Sequence, residues 1–328
     1  MISARTVLSI AVVIAALVIT EVEAGTNRGV PWATDNRWAG ELNKGLMRWY
    51  HHWQEGRVPQ FSKLEYVPTY WGPSKAPQWE RRKNEINEQW PKHILSFNEP
   101  DIEGQANMDP SWAVDEHMKE LQTYAKRGVK VSSPQIVYNL DWLQKFMDEC
   151  KGRGCDISFI ALHWYGSWQA LDDLKKWVTK VHNRFGLPIW VTEFGVTNKS
   201  HPSKSQVEDF QKQAMAWFDT QDYVHRAAWN GGYSIDNPPD DFATPLNALF
   251  NGSGKLRQTA YSYLYGDNKK RRTIKGAHRA KAMERRRSTQ ANNDNGDEEE
   301  PQYEGDAVHC DEICEKRNKF LADDDSDM

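Results

Sequence analysis

A rhythm of short apolar runs constrains this chain more than any other feature. Eight such runs occur, at Arg28–Ala33, Leu46–Trp53, Tyr66–Trp71, Ile94–Asn98, Val129–Ser133, Phe159–Tyr165, Ile189–Phe194 and Ala227–Tyr233. Each is short enough for a strand, and the later spacers carry helical periodicity. Ser111 to Arg127 places Trp112, Met118, Leu121 and Ala125 on one stripe, with Gly128 as a stop. Leu171, Leu174, Val178 and Val181 repeat the pattern and are closed by Gly186. Ser205-Gln-Val-Glu208 reads as a capping box ahead of Val207, Phe210, Ala214 and Trp217. The spacers between the first three runs are short and carry little helical signal. Strand alternating with helix eight times predicts an α/β fold, a (β/α)8 TIM barrel over residues 25–267. A doubly wound sheet is the competitor, but Gly29-Val-Pro-Trp-Ala33 has one glycine where a phosphate loop needs three.

The ends of the chain read differently from the body. Residues 1–24 carry Arg5, an apolar run from Val7 to Ile19, and small residues about Ala24, the pattern of a signal peptide. The run is too short for a membrane span, so the expected product is secreted, with no membrane association after cleavage. Residues 1–267 hold 29 basic and 31 acidic side chains, residues 268–287 hold 10 and 1, and residues 288–328 hold 3 and 14. The net charge of −4 is therefore a near-neutral body plus a basic block and an acidic block that nearly cancel. With Tyr303 and Phe320 as the only aromatics in residues 268–328, that tail is expected to be disordered. The Lys269–Arg272 run reads either as a processing site or as a solvated basic segment. No global positive field exists for nucleic acid to find.

Secretion sets the reading of the cysteines. Four cysteines allow three pairings, and the two local ones, Cys150–Cys155 and Cys310–Cys314, are favoured by short loops. Asn198-Lys-Ser200 and Asn251-Gly-Ser253 become glycan acceptor sequences.

In a barrel, chemistry sits where strands end. The fourth and seventh runs end in glutamate, Glu99 and Glu193, and closure would bring both across one cavity, as glycosidic bond cleavage requires. His163 and Tyr165 share one face of the sixth strand, where His163 would position Glu193 or a sugar hydroxyl. The chain has 15 tryptophans, all between Trp32 and Trp229, and flat rings stack on sugar faces. Trp229 at the end of the eighth run is the expected floor under the sugar, with Tyr70, Trp71 and Trp53 as further aromatic contacts. Trp112, Trp177 and Trp217 lie on helix stripes and read as packing. No metal or cofactor constellation emerges, since His51 and His52 point to opposite strand faces.

Six segments together carry a family likeness: Arg28-Gly-Val-Pro-Trp32, Tyr66–Gly72, Leu95-Ser-Phe-Asn-Glu-Pro-Asp101, Ser133-Pro134, Asp156–Tyr165 and Ile189–Gly195. With Leu246–Leu256 and Tyr261 closing the match, the chain resembles the Asl1-like glycosyl hydrolase catalytic domain of glycoside hydrolase family 128 from about Arg28 to Tyr265. The resemblance implies a barrel β-1,3-glucanase needing no cofactor, with Glu99 as general acid/base, Asn98 on the sugar beside the broken bond, and Glu193 as nucleophile. It implies a retaining double displacement on a β-glucan polysaccharide. The chain departs from the family's Tyr-Asn-Trp at the end of the second strand, where it has Tyr50-His51-His52-Trp53. Two alternatives remain: a related barrel enzyme cutting another β-linked glucan or mannan, and a secreted carbohydrate-binding protein without turnover.

Overall fold

The computed structural model describes residues 25–266. The signal peptide, the charged tail, the basic run at Lys269–Arg272 and the Cys310–Cys314 pair lie outside the described residues. All eight anticipated strands form: β1 (Asn27–Pro31), β2 (Met47–His51), β3 (Glu65–Tyr66), β4 (His93–Ile94), β5 (Lys130–Val131), β6 (Ile160–Gly166), β7 (Ile189–Val196) and β8 (Val224–Trp229). Every strand pairing is parallel, in the order β3-β2-β1-β8-β7-β6, with β4 and β5 paired separately. Single parallel bridges, Thr69 with Leu95 and both Ser132 with Phe159 and Ile136 with Leu162, join the two sheets into a closed barrel. Closure removes both sheet edges.

Among the described residues seven α-helices cover the outside: α1 (Ala76–Glu88), α2 (Pro110–Glu120), α3 (Gln122–Ala125), α4 (Leu140–Gly152), α5 (Leu171–Phe185), α6 (Lys204–Phe218) and α7 (Gln258–Tyr265). The crossovers after β1 and β2 hold a 3-10 turn and an irregular loop instead, as their weak periodicity suggested. α5 buries Leu174, Val178 and Val181, and its chain leaves through Gly186 at φ 66°, a left-handed conformation that a side chain would strain.

Three local expectations need correction. The box on α6 is Ser203 with Gln206, two residues earlier than expected, because Ser203 is the last extended residue and its hydroxyl reaches the Gln206 N–H. The helix anticipated from Ser111 breaks at Leu121 into α2 and α3. Its inward stripe begins at Ala113 and Val114 with His117, which leaves Trp112 45% exposed on the outer face. Cys150 and Cys155 form the local disulfide that links the end of α4 to the following turn, with Cα atoms 5.0 Å apart.

The barrel interior is layered. An apolar middle is made by Trp49, Val67, Leu95, Phe159, Ala161, Trp190 and Ala228, one or two residues from each contributing strand or its approach. Gly29 on β1 makes room for it, since a β-carbon there would sit 2.2 Å from the Trp49 indole. Beneath, at the strand N-terminal ends, Glu65 binds His93 and Arg226 at 2.6 and 2.7 Å. The Arg226 guanidinium lies 4.0 Å above the Trp190 ring. The strand C-terminal ends, above the apolar layer, carry the two glutamates. Among the described residues no helix is long and apolar enough to cross a membrane.

Candidate active site

Glu99 follows β4 in a tight bend. Its backbone has φ 47°, uncommon for a residue with a side chain, and it is held there by a Glu99 N–H bond of 2.9 Å to the Gln135 carbonyl after β5. Pro100 follows, and the Asp101 carboxylate accepts backbone N–H groups of Val137, Tyr138 and Asn139, so the loops after β4 and β5 are tied together. Glu193 is the fifth residue of β7, a strand buried along its whole length.

Both glutamates and His163 are fully buried. His163 Nδ1 lies 2.7 Å from Glu99 Oε1, and its Nε2 lies 3.5 Å from Glu193 Oε1 and 3.4 Å from Gln135 Oε1. The short bond therefore goes to Glu99, with Glu193 the more distant partner. A ring nitrogen of His163 and one oxygen from each glutamate all lie within 4.8 Å of one another. Such a trio could hold a metal ion, but each donor is already engaged inside the protein. A second trio, His117, Cys150 and Cys155, offers only His117, because both sulfurs are in the disulfide.

Glu193 is gripped from two sides. Trp53 donates its indole N–H to Oε1 at 2.8 Å, and Tyr165 donates its hydroxyl to Oε2 at 2.5 Å. Trp53 also holds a positive φ, 43°, so both non-glycine backbone outliers nearest the site touch its chemistry. Asn230, just past β8, donates to the Tyr165 oxygen at 2.5 Å, and the Phe242 ring stands edge-on to Tyr165 at 5.4 Å.

Asn98 is buried beside Glu99, and its amide N–H reaches Gln105 at 3.0 Å. Its Oδ1 is buried with no hydrogen-bond partner among the described residues. Trp71 is 8% exposed and gives its carbonyl to the Asn98 N–H.

Two anticipated sugar contacts are not at the site. Trp229 is fully buried, packs on Phe194 and Phe210, and donates its indole N–H to the Asn247 carbonyl. Ala228 is the inward residue of β8, so period-2 alternation turns Trp229 toward the helices. Tyr70 faces outward for the same reason, stacked on Trp79 of α1 at 4.9 Å with its hydroxyl on Glu116. Sequence reasoning in turn passed over Gln135, Asn230 and Phe242. The first two are polar residues directly after strands, a signal that was available; Phe242 lies in a long loop whose path sequence does not specify. Of the two sequons, Asn198 is exposed beyond β7 and Asn251 is half-buried, its Oδ1 accepting from Ser253 and Lys255.

Residues 29–263 match the family model described as the glycosyl hydrolase catalytic core. The chain belongs to that family, glycoside hydrolase family 128. It is 28% identical over 257 residues to alkali-sensitive linkage protein 1 of Schizosaccharomyces pombe, covering 72% of this chain and 44% of that protein. The chain thus spans less than half the length of that curated relative. Among solved structures, it is 29% identical to a curdlan-specific exo-β-1,3-glucanase of Blastomyces gilchristii bound to glucose, with a TM-score of 0.60 and coverage of 73% of this chain and 97% of that one. It is 30% identical to an endo-β-1,3-glucanase variant from Amycolatopsis mediterranei bound to laminaripentaose, with a TM-score of 0.59 and coverage of 73% and 98%.

Proposed function

We propose that the chain is a secreted retaining hydrolase of β-1,3-glucan, with Glu193 as nucleophile and Glu99 as general acid/base. The observation that carries this reading is that two fully buried carboxylates, one just after β4 and one on β7, bring one oxygen each to within 4.8 Å of the other. Retaining enzymes need about 5–5.5 Å between carboxyl groups, whereas inverting ones leave about 6.5–9.5 Å for a water. The substrate class is supported by the β-1,3-glucanases among the solved relatives.

In the first step a Glu193 oxygen attacks the anomeric carbon, and the bond to the leaving glycosidic oxygen breaks as that oxygen takes the Glu99 proton. The sugar is then esterified to Glu193. In the second step Glu99 removes a proton from water, which displaces Glu193 and restores both groups. The Trp53 and Tyr165 donors fix the attacking carboxylate, which limits the freedom lost on reaching the transition state. The buried Oδ1 of Asn98 is an acceptor for a sugar hydroxyl, and leaving it unmatched would cost about 1–3 kcal/mol. His163 orients Glu99. Trp53 and Trp71 offer the aromatic surface for the ring, and residues 1–24 direct export.

The test is hydrolysis of a soluble β-1,3-glucan, alongside cellulose- and mannan-type polymers, by the wild type, Glu99→Gln and Glu193→Gln. Activity on the β-1,3-glucan that both variants lose is expected. Cleavage of mannan alone, or binding with no turnover by any of the three proteins, would overturn the reading.

A further inference from the structure

Thr192, the residue before the nucleophile, is passed over by both neighbouring ladders. Pairing with β6 steps from Leu162–Val191 to His163–Glu193, and pairing with β8 steps from Val191–Ala227 to Phe194–Trp229. One extra residue of β7 therefore stands against each neighbour, which is a β-bulge, and bulges re-aim the side chains beside them. Thr192 is fully buried, so the carbonyl that the bulge frees has to find a partner inside the protein.

That partner comes from across the barrel. His51, the last residue of β2, places Nε2 at 3.0 Å from the Thr192 carbonyl oxygen. A carbonyl only accepts, so Nε2 carries the proton and the neutral ring leaves Nδ1 bare. Burial, the largest influence on this fully buried ring, pushes its pKa down to about 4 and keeps it in that form. The ring lies between two indoles: Trp49 of the apolar layer is stacked at 6.0 Å, and Trp53 stands edge-on at 5.5 Å. Trp53 is itself the donor to Glu193 Oε1. His51 thus meets the nucleophile by two routes, through the backbone bulge beneath it and through the indole that grips its carboxylate.

We propose that His51 is the positioning residue of the nucleophile: its Nε2–H holds the bulge at Thr192, and its ring supports Trp53, so that Glu193 points at the anomeric carbon. The inference rests on Glu193 being the nucleophile.

The test compares wild type with His51→Phe, His51→Gln, His51→Asn and Glu193→Gln on a soluble β-1,3-glucan, with melting temperature and near-ultraviolet circular dichroism read in parallel. Phenylalanine fills the ring volume without a donor; glutamine returns an N–H at the reach of Nε2; asparagine is too short. His51→Phe is expected to lose about a hundredfold in kcat with KM within about threefold of wild type, the scale of a small misplacement of a reacting group. His51→Gln is expected to recover at least about tenfold of that loss, while His51→Asn does not. Wild-type kcat in His51→Phe, a loss carried by KM, or equal losses in Phe and Gln would overturn the proposal. If His51→Phe fails to fold, the ratio of Gln to Asn decides, and a ratio near one overturns it. Inactive wild type, or active Glu193→Gln, would instead bring down the functional reading on which it stands.

Discussion

The two ends of this barrel carry the same pair of groups and use them differently. At the bottom Glu65 meets His93 at 2.6 Å, and at the top Glu99 meets His163 at 2.7 Å. What differs is the third member. Below, it is Arg226, 2.7 Å from Glu65 and laid over Trp190. Above, it is a second carboxylate, Glu193, which brings no compensating charge. Desolvation is the largest influence on Glu65 and would raise its pKa, but the His93 hydrogen bond and the Arg226 charge outweigh it and hold the carboxyl at about 2. A carboxylate locked in its charged form is a good plug and a poor acid. Under the function proposed above, exchanging a guanidinium for a carboxylate is what separates a structural cluster from one that passes a proton and forms a bond.

The contrast predicts where each substitution is felt. Glu193→Gln should lower kcat by at least about a thousandfold, and Glu99→Gln by about a hundred- to ten-thousandfold, both with unfolding midpoints near wild type. A stability loss matching the activity loss would mean that the upper cluster is structural too. Arg226→Leu should do the reverse: removing one partner of this half-buried pair should cost up to about 3 kcal/mol in denaturant unfolding, while kcat of the folded protein stays within about twofold. Tyr165→Phe sharpens the upper half. It removes a donor to a charged carboxylate, worth about 1.5–3 kcal/mol, and should appear as a ten- to hundredfold fall in kcat rather than in melting temperature.

The smallest effect is in pH. Because the Glu65 pKa is depressed when folded, its contribution is fully present above the ordinary value of 4.5 and is lost as pH falls toward 2. Allowing for its partial exposure, the amount is about 2 kcal/mol. His93, whose pKa burial lowers, adds loss in the same direction below its ordinary 6.5. Urea midpoints measured from pH 6 to pH 3 should fall in wild type and fall less steeply in Glu65→Gln; parallel curves would show that the lower cluster is not the acid-sensitive element.

Much of this was legible in the sequence, and the illegible part has one physical origin. Apolar runs marked all eight strands, and Glu99 and Glu193 stood out because strand ends are where barrels do chemistry. The glycines that end the helical stripes, Gly128 and Gly186, and the short Cys150–Cys155 loop were equally plain. Facing was harder. Trp229 and Tyr70 ended promising strands but turned to the helices, since a one-residue change of register reverses every side chain. The bulge at Thr192 is the same problem in its sharpest form: no residue type announces it, and so the partner it requires, His51, looked like half of an adjacent histidine pair. Gln135 and Asn230 act through contacts that exist only after closure.

The central claim, that Glu99 and Glu193 face one glycosidic bond at retaining distance, is tested most directly by the configuration of the first product. Proton NMR of a soluble β-1,3-glucan in the first minutes of hydrolysis reports the new anomeric centre before mutarotation scrambles it. The geometry predicts a β-anomer at the outset, with the α-anomer growing only at the rate of mutarotation. An initial α-anomer would contradict the assignment of Glu193 as nucleophile, and with it the mechanism built on the upper cluster.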